Sequence, residues 1–197
     1  CIIYHMLERN GDIWEWHHER RWIVITTNIG WKRDGCCPMG AGIAAQAAEL
    51  YPDLPKWYGQ RCFKYKSDTA VCPHKPSQLI MFPTKPLDVS KPWASWQQDS
   101  DLSLIKRSAI QLQKLYEILC EQKLVFGEVA LPLVGCQNGR LSRSDVLPIL
   151  KSYLDDNFVL VERTSYRQLS FYDAADPVVQ DQCVASQSRL EHPERLS

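Results

Sequence analysis

Two continuous apolar segments constrain the fold of this chain more than any other feature of its sequence. Trp22-Ile-Val-Ile25 and Val129-Ala-Leu131 lack the polar alternation of a strand that has one face in water. Runs of this kind are typical of strands buried on both faces, as in parallel sheets covered by helices. A glycine-containing loop and then a helical pattern follow each run. The sequence therefore predicts an α/β fold with a largely parallel sheet.

Further strands and helices alternate along the chain. Apolar residues between Leu102 and Leu119 recur in steps of three and four, which predicts a long helix over 101–122. Ser142 and Asp145 form a capping-box pattern that opens a helix over 142–154. The remaining patterns predict helices over 42–50 and 54–63, and strands over 1–7, 21–28, 69–72, 79–83, 128–134, 157–162 and 169–172. Residues 86–98 are expected to form an ordered loop over a site.

The composition argues against several classes of protein. The chain has 23 basic and 23 acidic side chains, and this zero net charge disfavours strong non-specific binding to nucleic acid. No apolar run approaches the ~20 residues of a membrane helix, so we expect a cytoplasmic protein without a membrane partner. The eight cysteines are expected to be free thiols. Cys72 and His74 lack the spacing of a zinc site, so no metal is expected. We expect one domain over 1–175 and a polar tail over 176–197.

Two glycine-containing loops, at 35–44 and 135–141, each follow a predicted strand and precede a predicted helix. Glycines let backbone N–H groups approach phosphate oxygens, and a helix N-terminus adds free donors and a positive dipole end. At one edge of a parallel sheet, two such loops would hold a diphosphate from both sides. The alternative is that these loops are ordinary strand–helix turns without a ligand. A single glycine-containing loop would favour this alternative, whereas two such loops favour a phosphate site. A Rossmann site is disfavoured because the glycines lie far from the strand end.

Four short motifs resemble, in kind and order, those of the macrodomain family. They are Gly11-Asp-Ile13, Thr26-Thr-Asn28, Met39-Gly-Ala-Gly-Ile-Ala44 and Leu131-Pro-Leu-Val-Gly-Cys136. The resemblance covers residues 3–162 and implies a three-layer α/β/α macrodomain with a mixed, largely parallel central sheet. Phe82-Pro-Thr-Lys85 is similar to a stretch shared by terminal ADP-ribose protein glycohydrolase and by antitoxin macrodomains that remove ADP-ribose from thymidine in DNA. Residues 135–141 are closer to the antitoxin pattern.

The resemblance implies a role for each motif residue. Asp12 would accept a hydrogen bond from the adenine amino group, and Ile13 would contact the same ring. Lys85 and Asn28 would be the catalytic residues. Asn28 would form a hydrogen bond with the distal ribose, and Lys85 would lie near the anomeric carbon of that ribose. The other implied ADP-ribose-binding residues are Thr27, Met39, Gly40, Ala41, Gly42, Ile43, Thr84, Val134, Gly135, Cys136, Gln137, Asn138, Gly139 and Arg140. Candidates for an aromatic wall of the adenine pocket are Tyr166, Phe171 and Tyr172.

The chemistry of the bond gives a reason for a lysine at the site. Cleaving an ADP-ribose glycosidic bond builds positive character on the anomeric carbon and negative charge on the leaving group. Lys85 could attack the ring-opened sugar as a neutral amine, or stabilise the leaving group as an ammonium, and the sequence leaves both open. Gly139 stands where the terminal glycohydrolase has an acidic residue, so the two-residue mechanism of that enzyme is in doubt.

The predicted function is hydrolytic removal of ADP-ribose from a modified macromolecule, with thymidine in DNA ahead of protein carboxylates. No cofactor is expected, since ADP-ribose is itself the ligand or product. The expected partners are ADP-ribosylated DNA or protein and a cognate ADP-ribosyltransferase toxin. The alternatives are a non-catalytic reader of ADP-ribose and a hydrolase of a small ADP-ribose derivative. Trp93 and Trp96, near Lys91, are expected either to stack on bases of single-stranded DNA or to plug the side of the domain.

Overall fold

A six-stranded sheet forms the centre of the computed structural model, which describes residues 6–163. Its strands are β1 (Leu7–Asn10), β2 (Ile23–Asn28), β3 (Cys72–His74), β4 (Leu79–Lys85), β5 (Val129–Leu131) and β6 (Phe158–Glu162). Their order across the sheet is β1-β6-β5-β2-β4-β3, and every neighbouring pair is parallel except β3 and β4. The prediction of a mixed, largely parallel sheet is confirmed.

Helices cover both faces of this sheet. In the described part of the chain they are α1 (Ile13–His18), α2 (Gly42–Leu50), α3 (Leu54–Tyr65), α4 (Leu102–Glu121) and α5 (Arg143–Tyr153). Successive residues of β2 point to opposite faces. Val24 packs in the core with α4 and α5, whereas Ile23 and Ile25 pack with α1, α2 and α3. All three side chains are fully buried, which explains the missing polar alternation and gives the predicted three layers.

The N-caps of α4 and α5 agree with their sequence patterns. The carboxylate Oδ1 of Asp101 accepts a hydrogen bond from the backbone N–H of Leu104 at 2.7 Å, which satisfies a donor that the start of α4 otherwise leaves free. The apolar stripe of α4 is buried against the sheet. Ser142 caps α5 by accepting from the backbone N–H of Asp145 at 3.2 Å, as the capping-box pattern predicts.

Several elements differ from their predicted bounds. The strand predicted over 128–134 ends at Leu131, because Pro132 has no N–H to donate to the ladder. The strand predicted over 69–72 lies instead at Cys72–His74, an antiparallel edge strand, where a proline is tolerated. Helix α1 was not predicted. Four predicted features lie wholly or partly outside the described residues. They are the start of the first strand (residues 1–5), the strand over 169–172, the domain boundary at 175, and the aromatic wall of the adenine pocket formed by Tyr166, Phe171 and Tyr172.

The cysteines of the described part of the chain carry no disulfide, as predicted. The free thiols are Cys36, Cys37, Cys62, Cys72, Cys120 and Cys136. None of the helices found within residues 6–163 has the length and apolar character to cross a membrane.

Candidate functional site

The carboxyl ends of β2, β4 and β5 lie side by side at one edge of the sheet. Asn28, the last residue of β2, is in register with Lys85, the last residue of β4. Strand β5 adjoins β2 on its other side. The loop that follows β2 (the first loop, residues 29–42, which ends in the first residue of α2) and the loop that follows β5 (the second loop, residues 132–142) therefore leave the same edge as Lys85. Open α/β sheets bind their ligands at such an edge.

Asn28 holds the first loop in place. This residue is only 6% exposed. Its Nδ2 donates to the Pro38 carbonyl at 2.7 Å, and its Oδ1 accepts from the Gly30 N–H at 2.9 Å. The Cys37 thiol contacts the same side chain, and burial raises the pKa of this thiol. A ribose hydroxyl could accept from the second N–H of the Asn28 amide or donate to the second lone pair of its Oδ1, and the implied catalytic role stays a prediction.

Gly40, Ala41 and Gly42 form the exposed rim of the first loop, where α2 begins. Ala41 is the N-cap residue and provides no side-chain hydrogen bond to the helix. Gly42 has a φ of +57°, the left-handed conformation that favours glycine. A Cβ added to Gly40 would meet no atom within 4 Å. The rim is an open helix N-terminus without a side-chain cap, an arrangement that suits anions.

The second loop turns its carbonyl groups into the protein. The carbonyls of residues 135, 137, 138 and 139 accept hydrogen bonds from backbone or side-chain donors at 2.8 to 3.2 Å. By contrast, the backbone N–H groups of residues 136–139 donate to no acceptor within residues 6–163. A loop with committed carbonyls and uncommitted N–H groups forms a concavity that attracts anions.

Gly139 is a tightly packed position of the second loop. A Cβ placed on it would lie 2.1 Å from the Ser100 Oγ and 2.3 Å from the Gly135 carbonyl oxygen. An aspartate at this position would force the loop onto a different path. The absence of the acidic residue of the terminal glycohydrolase pattern is therefore consistent with the shape of this loop.

The two loops contact each other beside Lys85. Asn138 Nδ2 lies 3.4 Å from the position that a Cβ of Gly42 would occupy. The Nζ of Lys85 donates to the Asn138 carbonyl at 2.8 Å and to the Trp96 carbonyl at 2.7 Å. Lys85 thus joins the end of β4 to the second loop and to a 3-10 helix at Pro92–Gln97, next to the point where the loops meet.

The surroundings of Lys85 disfavour its positive charge. Burial lowers the pKa of Lys85, the nearby Arg140 guanidinium lowers it further, and Asp99 acts in the opposite direction. Arg140 and Asp99 form an exposed ion pair at 3.1 Å. Two N–H groups of Nζ donate to carbonyls. A neutral amine in this position has its lone pair free, whereas an ammonium has a third N–H free to donate. Both chemical roles considered from the sequence fit this geometry.

Asp12 lies at the same edge of the sheet, beyond β1. Its Oδ1 accepts from the Trp14 N–H at 3.0 Å, so it is the N-cap of α1. Ile13 is buried beneath that helix. Four strand spacings separate β1 from β4, about 19 Å, so a ligand touching Asp12 and Lys85 must be extended. Asp12 followed by Glu15 resembles a capping-box pattern, and this was the signal that could have found α1.

Some of the predicted binding residues have buried side chains. Thr27, Met39, Thr84 and Val134 are at most 8% exposed. The Thr84 hydroxyl donates to the Thr27 carbonyl at 3.2 Å, and the Thr27 hydroxyl donates to the Tyr58 hydroxyl at 2.9 Å. These residues can reach a ligand mainly through their backbone. The remaining predicted side chains around the rim are half-buried or exposed: Ile43, Cys136, Gln137, Asn138 and Arg140.

The segment from Trp93 to Ser100 adds Asp99 and Ser100, which the sequence patterns did not assign to the site. The Ser100 N–H donates to the Gly139 carbonyl at 3.0 Å, and its Oγ is buried without a partner among the described residues. Trp93 and Trp96 are 56% and 48% exposed, so they do not plug the domain. No local signal marks Ser100 or Asp99, because their contacts come from residues about 40 positions away.

Structures of known proteins share this architecture, although no protein-family model and no curated protein matches the chain. The macrodomain of Mycobacterium tuberculosis DarG is 24% identical, with a TM-score of 0.58 over 81% of this chain and 98% of that one. The macrodomain of Thermus aquaticus DarG is 21% identical, with a TM-score of 0.56 over the same shares. Thermosipho africanus DarTG, solved in complex with ADP-ribose, is 19% identical, with a TM-score of 0.57 over 83% of this chain.

This chain spans 44% of the Thermosipho africanus protein and nearly all of the other two. Together with the sheet order and the three layers, these likenesses show that the chain has the macrodomain fold. The resemblance stated from the four sequence motifs is confirmed at this level.

Proposed function

We propose that this macrodomain binds ADP-ribose across its two loops and hydrolyses the bond between ADP-ribose and a macromolecule, with Lys85 as the catalytic residue. The proposal rests on one observation. Nζ of Lys85 donates a hydrogen bond to the carbonyl of Asn138, the residue of the second loop that lies against Gly42 of the first loop. A diphosphate held between the loops would place the sugar on its far side next to this amine. The Thermosipho africanus relative, solved with ADP-ribose, supports the choice of ligand.

The two loops offer complementary donors to a diphosphate. The rim of the first loop presents the N-terminus of α2, and the second loop presents the N–H groups of residues 136–139. Each hydrogen bond to a charged phosphate oxygen contributes about 1.5–3 kcal/mol. Arg140 adds positive charge at the same rim, and Asp12 would bind adenine at the far end of the site. A ligand with a diphosphate between two nucleoside-like ends fits this distribution.

Lys85 would act as a nucleophile. In the neutral state, two N–H bonds point to carbonyls and the lone pair is free to attack the anomeric carbon of the ring-opened distal ribose. Ring opening puts a proton on the ring oxygen and leaves the anomeric carbon double-bonded to the acceptor nitrogen. Nζ adds to this carbon, a proton passes from Nζ to the acceptor nitrogen, and the bond to the leaving group breaks, which leaves an imine between Lys85 and the ribose. Water then hydrolyses the imine, which releases ADP-ribose and restores the amine. Burial and Arg140 favour the neutral amine because both lower the pKa of Lys85.

The proposed acceptor is thymidine in DNA. Trp96 supplies the carbonyl that holds Lys85, and its ring, like that of Trp93, faces solvent beside the reacting end of the site. Exposed aromatic rings stack on unpaired bases. Such an enzyme would reverse the product of an ADP-ribosyltransferase, so we propose a cognate transferase as a functional partner in the cytoplasm.

The proposal is tested by incubating the protein side by side with ADP-ribosylated single-stranded DNA and ADP-ribosylated protein, and measuring released ADP-ribose. We expect release from the DNA, little release by Lys85→Ala, and a covalent adduct on Lys85 after borohydride treatment. Full turnover by Lys85→Ala would remove the catalytic role. Binding of ADP-ribose without release from either substrate would identify a reader instead.

A further inference from the structure

A surface on the outer side of α3 combines positive charge with exposed aromatic rings. We call it the α3 surface and define it as residues 31–34 together with the exposed face of α3. Phe63 is 61% exposed, and the edge of its ring packs on Trp31, with centroids 5.5 Å apart. An aromatic ring this exposed contributes little to the core. The α3 surface is therefore a candidate for contact with another molecule.

The charge of this surface departs from that of the whole chain, which is neutral. Residues 31–34 and α3 contain five basic side chains and one acidic side chain. The acidic side chain, Asp34, pairs with Lys32 at 3.5 Å. The exposed Arg33 has no ion pair among the contacts found in residues 6–163. The net charge of the surface is positive, which favours a polyanion as its partner.

Basic groups and rings are interleaved along α3. The Arg61 guanidinium lies 4.0 Å from the ring centre of Trp57, and Lys64 Nζ lies 5.0 Å from that of Tyr65. The side chains of Gln60, Arg61, Lys64 and Tyr65 line an open groove along the surface of the helix. Cations that contact phosphates, alternating with rings on which bases stack, are the pattern by which proteins bind single-stranded nucleic acid.

The α3 surface is connected to the Lys85 site through the backbone of Gly30. A Cβ on Gly30 would lie 2.1 Å from the Pro92 carbonyl oxygen, so the start of the first loop packs directly on the 3-10 helix that carries Trp96. The next residue is Trp31, which packs on Phe63. The exposed rings of Trp96 and Phe63 thus belong to elements that are linked through the buried backbone of Gly30 and the half-buried ring of Trp31.

We propose that the α3 surface binds a single-stranded nucleic acid, with phosphates on Arg33 and Lys64 and a base on the ring of Phe63. The proposal rests on the proposed function only for the idea that the same strand continues to Lys85. Binding of an unmodified strand requires neither ADP-ribose nor catalysis. The two proposals can therefore fail separately.

The test is fluorescence anisotropy with a labelled, unmodified oligothymidylate over a series of salt concentrations. We expect Phe63→Ala to weaken binding about five- to 150-fold. Arg33→Gln with Lys64→Gln should reduce the slope of log affinity against log salt by about 1.4, since each single-strand phosphate contact contributes about 0.7. The control pair Lys114→Gln with Lys123→Gln removes the same charge from exposed positions at α4, on the opposite face of the sheet, and should leave the slope unchanged.

Calorimetric binding of free ADP-ribose should not change for Phe63→Ala, because Phe63 lies on α3 and outside both loops, and this result separates the α3 surface from the ADP-ribose site. The proposal is overturned if the wild-type protein does not bind the oligonucleotide at low salt, or if the control pair lowers the slope as much as the Arg33 and Lys64 pair. Displacement of the oligonucleotide by polyglutamate at equal charge would also overturn it, because the surface would then bind any polyanion.

Discussion

Replacing Gly40 by alanine separates ligand binding from folding. A Cβ at this position meets no protein atom within 4 Å. We therefore expect the free energy of unfolding to change by less than about 0.5 kcal/mol, as for ordinary surface substitutions. The same open space is where the proposal places the diphosphate. A methyl group there would displace a phosphate oxygen from one backbone N–H, which costs about 1.5–3 kcal/mol, or roughly ten- to 150-fold in Kd for ADP-ribose.

The matched substitution in the second loop should behave differently. A Cβ at Gly139 would lie 2.1 Å from the Ser100 Oγ, and overpacking of this kind costs about 1–3 kcal/mol of stability. Chemical denaturation and calorimetric titration with ADP-ribose on both variants make the comparison. If Gly40→Ala were as stable as the wild type and bound ADP-ribose with the same Kd, the rim of the first loop would not hold the diphosphate.

Three further predictions concern charge, capping and the acceptor. Arg140→Gln should raise the pKa of Lys85 and therefore move the rising limb of the kcat/KM profile to higher pH. Asp99→Asn should lower this pKa and move the rising limb to lower pH. Shifts in the opposite directions would exclude a neutral amine. Asp12→Asn should keep the melting temperature, because Asn caps a helix as well as Asp, yet weaken binding in ADP-ribose calorimetry. Trp96→Ala should lower kcat/KM on ADP-ribosylated single-stranded DNA about five- to 150-fold without changing the Kd of ADP-ribose. An unchanged kcat/KM would contradict the proposed stacking.

Sequence patterns predict the structure correctly where it depends on residues that are close together in the chain. The apolar run of β2 has no polar alternation because its two sets of side chains enter two different cores. Likewise, Ser142 caps α5 through its own neighbour Asp145. The glycine loops follow from the same kind of rule, since each connects the end of a buried strand to a helix. These local features, placed in order, predict the layers and the edge where the site lies.

The contacts that define the site are not local, and this is why the sequence could not give them. The two carbonyls that bind Lys85 belong to Trp96 and Asn138, which are 11 and 53 positions away. The position of Asn28 at the end of β2 does not reveal that its amide is bonded to Pro38 and Gly30. Helix α1 is short, and its six residues include two tryptophans and two histidines, which are weak helix formers, so the capping-box pattern of Asp12 and Glu15 is the signal that the sequence offers for it.

Isothermal titration calorimetry of free ADP-ribose against the folded protein measures whether the two loops bind the diphosphate. We expect saturable heat with one binding site per chain, and a weaker Kd for Gly40→Ala than for the wild type. A titration without saturable heat would contradict the assignment of the two loops to the diphosphate, and with it the role of Lys85 at the adjoining sugar.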